Sequence, residues 1–165
     1  MKIKSLIAAT VLSLAASASF AATTVNLTQD AVNTNKYTGG FTVTHTGAFT
    51  DTFTFSPTLP SSVVSASLIS IGFSNADNID FTSVTLNGYA LKIVNGIVDT
   101  AITSSQLNLT GPLTLSVSGL SGTGASYSGT INVTAVPEPE TFAMLGAGLA
   151  LVGFAARRRK AANQA

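Results

Sequence analysis

Residues 22–135 read as an all-β domain: a single β-sandwich, with a jelly-roll-like topology as one way of arranging it. Three observations carry this reading. Thr and Ser alternate with Val, Ile, Leu and Phe through most of the stretch, which is the period of half-buried strands. Asn87-Gly88 and Asn95-Gly96 supply dipeptides that accept positive φ and so favour two-residue hairpin turns. No segment before Val136 keeps a helical period. The stretch is long enough for one domain with its own core and short for two.

Taken in order, the alternation predicts strands near Thr24–Thr28, Phe41–Thr46, Phe49–Phe55, Val63–Phe73 and Ile79–Leu86. It continues with Tyr89–Val94, Ile97–Ile102, Gln106–Leu109, Leu113–Ser118 and Ser126–Thr134. The two Asn-Gly pairs bracket Tyr89–Val94, so 79–102 reads as a three-strand meander. Residues 41–46 and 49–55 read as a hairpin around Gly47-Ala48-Phe49. Parity then puts Phe41, Val43 and His45 on one face with Phe49, Asp51, Phe53 and Phe55, and the threonines on the other. In that register Phe41 faces Phe55, Val43 faces Phe53 and His45 faces Asp51; a shift of two residues loses the last pair. The Gly119–Gly129 stretch, with Gly122 and Gly124, reads as a flexible connection between the last two strands.

Composition excludes several classes of function. Between 22 and 136 the charges are Asp30, Asp51, Asp77, Asp80 and Asp99 against Lys36 and Lys92, a net of −3. That argues against nucleic acid as a partner, since neutralising phosphates needs a basic face. The chain has no Cys, so disulfides and thiolate metal sites are absent. The same stretch holds no Glu, no Arg and one His, which is thin material for acid–base catalysis, and a non-enzymatic role is expected. An aspartate among phenylalanines needs a partner. Structural pairing of Asp51 with His45 is the first expectation. No cofactor is expected; calcium is the one ion considered, with Asp77, Asn78 and Asp80 as oxygen ligands in a spacing that matches no standard calcium loop.

The two ends carry addresses. Met1-Lys2-Ile3-Lys4, the apolar Leu6–Ala16 and the small residues around Ser19-Phe20-Ala21 make a signal peptide over 1–21, cleaved after Ala21 or Ala22. The partners this implies are the Sec translocon and signal peptidase. At the other end Val136-Pro137-Glu138-Pro139 leads into an uncharged apolar run, Thr141–Ala156, stopped by Arg157-Arg158-Arg159-Lys160, with a cytoplasmic tail at 161–165. The prolines keep the entry extended. Sixteen helical residues cover roughly 24 Å, short of a hydrocarbon core of roughly 30 Å, so a single transmembrane helix here relies on snorkelling and local thinning. Gly146, Gly148 and Gly153, with nearby alanines, leave a surface for close helix approach.

The tail over 136–160 resembles the PEP-CTERM sorting signal of Gram-negative bacteria. The resemblance implies an exosortase as partner, recognising Pro137-Glu138-Pro139. It also implies transient residence in the inner membrane with the domain in the periplasm, and final placement at the cell surface or in the extracellular matrix. Phe49-Thr50-Asp51-Thr52-Phe53 is the pattern Phe-x-Asp-x-Phe, and with the tail it resembles the FxDxF group of PEP-CTERM proteins. That resemblance implies association with exopolysaccharide in biofilm and assigns no molecular activity. The alternative is a polysaccharide-binding lectin or adhesin module that uses calcium.

Overall fold

The computed structural model describes residues 22–137 and 139–162. The expected signal peptide over 1–21, Glu138 and residues 163–165 lie outside the described residues.

The all-β expectation holds for residues 22–135. Its strands are β1 (Thr23–Asn26), β2 (Thr28–Gln29), β3 (Lys36–Ser56), β4 (Ser61–Ile71) and β5 (Ile79–Leu86). They continue as β6 (Tyr89–Ala90), β7 (Lys92–Val94), β8 (Val98–Ile102), β9 (Leu107–Thr110) and β10 (Thr114–Ala135). All ten belong to one hydrogen-bonded open sheet, with main order β1-β3-β10-β4-β8-β7. β5 joins β10 and carries β6, β2 pairs β3, and β9 pairs β4. This corrects the expectation of two separate sheets. The two longest strands, β3 and β10, run antiparallel over almost their whole length and serve both halves of the sheet.

The sheet therefore folds on itself. The first half of β3 pairs the second half of β10, and the second half of β3 pairs the first half of β10. The register slips between Ser121 and Ala125 of β10, opposite His45 and Gly47 of β3, so both long strands change direction at one crease. Gly47 adopts φ 76°, a conformation an L residue reaches only at a cost. β4 extends the first half beyond β10, and β5 extends the second. The halves meet through their inner side chains. The rings of Phe41 and Phe53, twelve positions apart on the same strand, stack at 4.1 Å. Tyr127 meets Phe81 edge-on with centroids 5.5 Å apart. Phe53, Phe81, Tyr127, Leu68, Leu86, Leu115 and Ile131 are each at most 2 % exposed. Each such apolar side chain contributes about 1.5–3 kcal/mol by burial.

Three further expectations need correction. The predicted hairpin at 41–55 is absent, because both segments belong to β3 and pair with β10. Parity was read correctly, since 41, 43, 45, 49, 51, 53 and 55 all turn inward, but Phe41 stacks on Phe53 and not on Phe55. Two of the outward threonines bond to β10 serines: Thr42 Oγ1 lies 2.8 Å from Ser128 Oγ, and Thr50 Oγ1 lies 3.0 Å from Ser118 Oγ.

The glycine-rich stretch is strand and not connection. Gly119 stands opposite Phe49, and Gly129 opposite Phe41. A Cβ at either position would run into the facing ring. Phenyl rings lying over glycines replace the missing side chains.

The third correction concerns the meander. Asn87-Gly88 makes the hairpin turn between β5 and β6, with φ 47° and 84°. Asn95-Gly96 does not, because Val94 pairs Thr100 and leaves a longer loop. Asn95 instead turns its amide onto β5: Oδ1 accepts from Phe81 N–H at 3.2 Å, and Nδ2 donates to Phe81 C=O at 3.0 Å. One side chain thus does the work of a strand partner.

Candidate functional site

The crease gathers the domain's only histidine. On β3, His45 and Asp51 flank the bend at Gly47, and inward parity turns both towards the fold line. His45 Nε2 lies 2.6 Å from Asp51 Oδ2. Tyr127, at the inner face of β10, donates its hydroxyl to the same oxygen at 2.6 Å. His45 and Asp51 are each 16 % exposed at the side chain, while Tyr127 is sealed in. Burial pushes the Tyr127 phenol well above its ordinary range, and the hydrogen bond to Asp51 and that carboxylate's charge add to it. Tyr127 is therefore a permanent donor at any physiological pH. The His45 ring lies flat on Phe49, centroids 4.0 Å apart and planes within 3°. Ser121 Oγ donates to the His45 carbonyl at 2.8 Å, tying the bulge of β10 to the bend of β3.

In this arrangement Phe49, Asp51 and Phe53 form one inner row. The phenylalanines supply core, and the aspartate takes two hydrogen bonds inside it. The sequence pattern had singled out Asp51 and His45 but not Tyr127. The signal for Tyr127 was present, because Tyr127, Gly129, Ile131 and Val133 alternate inward along the last strand.

The calcium candidates sit beside the crease. The 72–80 loop reaches it through Gly122 N–H, which donates to Asn78 C=O at 2.9 Å. A crevice of about 180 Å³ is lined there by Asn75, Asn78, Asp80, Leu120, Ser121 and Gly122. The two acidic candidates already have partners: Asp77 Oδ2 accepts from Ser74 Oγ at 2.8 Å, and Asp80 Oδ1 accepts from Asn78 Nδ2 at 3.2 Å. Asn78 Oδ1 is buried without a partner. Among the described residues, no three His, Cys, Asp or Glu side chains converge as a metal site.

Asp99 is a polar group that sequence reasoning passed over. It is fully buried on the inner face of β8; Oδ1 accepts from Gly96 N–H at 2.7 Å, and Oδ2 has no partner. Burial raises its pKa, the Gly96 N–H opposes that, and the charge of Asp80 adds to the rise. The alternation Asp99-Thr100-Ala101 places it on the core side with Ala101, a signal visible in the sequence.

The tail begins without a linker. Ala135 N–H donates to Asn35 C=O at 2.7 Å and Val136 N–H to Ser61 C=O at 3.0 Å, and Pro137 follows at once. Helix α1 covers Pro139–Ala162 and so runs through the arginine cluster. Phe142, Met144, Leu145, Leu149, Leu151, Val152 and Phe154 are all exposed along it. The expected single transmembrane helix is corrected here. Among the described residues, no helix is long and apolar enough to cross a membrane. The helix itself is 24 residues, but its uncharged stretch is interrupted by glycines and closed by the basic cluster.

The model of the PEP-CTERM protein-sorting motif matches residues 135–160. That motif implies export and exosortase-directed sorting to the cell surface. No curated protein and no solved structure matches the chain.

Proposed function

We propose that this chain is a non-enzymatic surface or extracellular-matrix protein that associates with exopolysaccharide in biofilm. The sorting motif at 135–160 carries the reading. The fold supports it. Outward positions across β1, β3, β10 and β5 are almost wholly hydroxyl-bearing, as in the rows Thr24–Thr54–Thr114 and Thr50–Ser118–Ser83. Such a face is hydrated and sparsely charged, with Lys36 and Asp80 its charged residues. The single histidine is engaged with an aspartate that also holds a buried tyrosine, an arrangement that fits a structural polar cluster better than a catalytic one. The inner row Phe49-Asp51-Phe53 supports placing the chain in the FxDxF group.

The tail supports a transient stay at the inner membrane. Its apolar side chains are exposed, and its uncharged stretch is shorter than an ordinary span. The order of events is export, retention by α1, recognition of Pro137–Pro139 by an exosortase, and release. The test is the mass and location of the mature protein in cells with and without the exosortase. Release of a form ending near Pro137–Glu140 only when the enzyme is present is the expected result. A protein that keeps Arg157–Lys160 in both strains overturns the sorting reading.

The lectin alternative has one observation in its favour, the unpartnered Asn78 Oδ1 beside Asp80 in the crevice. A rise in thermal midpoint with millimolar calcium would support it, and an unchanged midpoint would remove it.

A further inference from the structure

One outer region of this hydroxyl-rich surface is apolar. Among the outward positions of β4 and β8, Ile69, Ile71, Val98 and Ile102 are apolar and exposed by 43–54 %. Ile71 and Val98 are directly paired across the strands, and Ile69 pairs Thr100 next to them. Beyond the strand ends Phe73 is 87 % and Ile97 66 % exposed. The Gly72 N–H bond to Ile97 C=O at 3.0 Å holds their two loops together. These six side chains form one continuous strip. Scattered exposed aliphatics need no explanation, but a contiguous strip marks a surface that is covered in use.

We infer that the strip is a self-association surface, covered by the same strip of a second copy of this chain. Three features select that occupant. First, the position argues against the membrane. The tail leaves beside Ser61, at the start of β4, through the Val136 bond to the Ser61 carbonyl. The strip lies on the far half of β4 and past its end, roughly 20–35 Å along the strand at about 3.4 Å per residue. A chain retained by its tail therefore presents the strip away from the bilayer. Second, none of the six residues is charged, and the charged neighbour paired with Ile102 is Lys92, opposite in sign to the domain's net charge of −3, so a second copy brings no carboxylate against a carboxylate within the strip. Third, the six exposures amount to about 600 Å² per copy, so two strips bury about 1,200 Å², the lower end of specific protein interfaces. A two-fold arrangement is the closed solution for one patch meeting itself. The inference goes beyond the sorting reading, since it concerns the domain and not the tail.

The absence of cysteine makes a direct test available. Single variants Ile69→Cys, Ile71→Cys, Phe73→Cys, Ile97→Cys, Val98→Cys and Ile102→Cys are made in the full exported chain. Thr50→Cys, on the hydroxyl face of the other half, is the control. Export delivers each to an oxidising compartment, where thiols that approach closely become disulfides. Non-reducing gels should show dimers for the positions nearest the two-fold axis and at least fivefold less for Thr50→Cys. Adding Ile71→Lys to the strongest cross-linking variant at another position should abolish its dimer without reducing the amount of exported monomer. No dimer at any of the six positions, or an equal yield from Thr50→Cys, overturns the inference. A dimer that survives Ile71→Lys overturns it as well. Sorting can fail on its own: full-length protein retained at the membrane can still cross-link through the strip.

Discussion

Asp51 accepts from two side chains through one oxygen, so its removal leaves His45 and Tyr127 without their acceptor inside the fold. Asp51→Ala is expected to cost about 1–3 kcal/mol, the range for orphaned polar groups. Tyr127→Phe, which removes one partner and keeps the ring, should cost about 0.5–1.5 kcal/mol. Urea midpoints of the two single variants and the double variant check this. Strict additivity would mean the groups act independently, against the geometry. Asp99 behaves in the opposite sense. Its folded pKa is raised above the unfolded value, so its protonated form is the one the fold favours. That contribution is complete below the unfolded carboxyl pKa and is lost as pH rises through the folded one. Asp99→Asn should therefore melt above the parent protein at pH 8, with the gap closing as the pH falls through the raised pKa. A gap independent of pH between 8 and 4 would show that Asp99 is not the group responsible. At this scale inward parity is legible in the sequence, for Asp99 beside Ala101 as for Asp51 between its phenylalanines. The near partner is legible too, since His45 meets Asp51 as expected; Tyr127 is not, because it lies 76 positions from Asp51 and only the pairing of β3 with β10 brings them together.

Among the elements, β3 and β10 decide the architecture, and here local signals and tertiary pairing part company. Gly47 between two alternating runs reads as a hairpin tip, and the glycines of 119–129 read as a loop, because each is sound turn chemistry in isolation. Both are strand interiors whose glycines serve a neighbour. At Gly47 the backbone needs a positive φ, and at Gly119 and Gly129 a phenyl ring fills the space a side chain would take. Gly129→Ala drives a methyl into the Phe41 ring and should cost about 1–3 kcal/mol, as overpacking does. Phe41→Leu in the same chain should recover part of that loss, which urea unfolding of the pair would reveal. A double variant no better than the sum of the singles would mean that strand pairing, and not the ring, is what glycine serves. The Asn-Gly pairs divide the same way. Asn87-Gly88 was legible because its turn is closed by the strands it joins. Asn95-Gly96 was not, because Asn95 is committed to the Phe81 backbone across the fold.

For the whole molecule, the question is whether the sheet and the tail are energetically one object. Ala135 and Val136 are the last residues bonded into the sheet, and Pro137 cannot donate to continue the ladder. Beyond it, the apolar side chains of α1 named above are exposed, so the helix adds no burial to the core. Removal of the tail should then leave the domain as stable as before. The unfolding free energies from urea titration of tail-bearing protein in mild detergent and of the released form should agree to within about 0.5 kcal/mol, the spread of changes away from the core. A marked loss on release would mean that α1 packs on the sheet in the intact chain and that processing loosens the fold. Agreement has a functional consequence. Processing at Pro137–Pro139 would free a domain already folded during retention, with its hydroxyl faces and apolar strip unchanged, and α1 would act as an address discarded after reading.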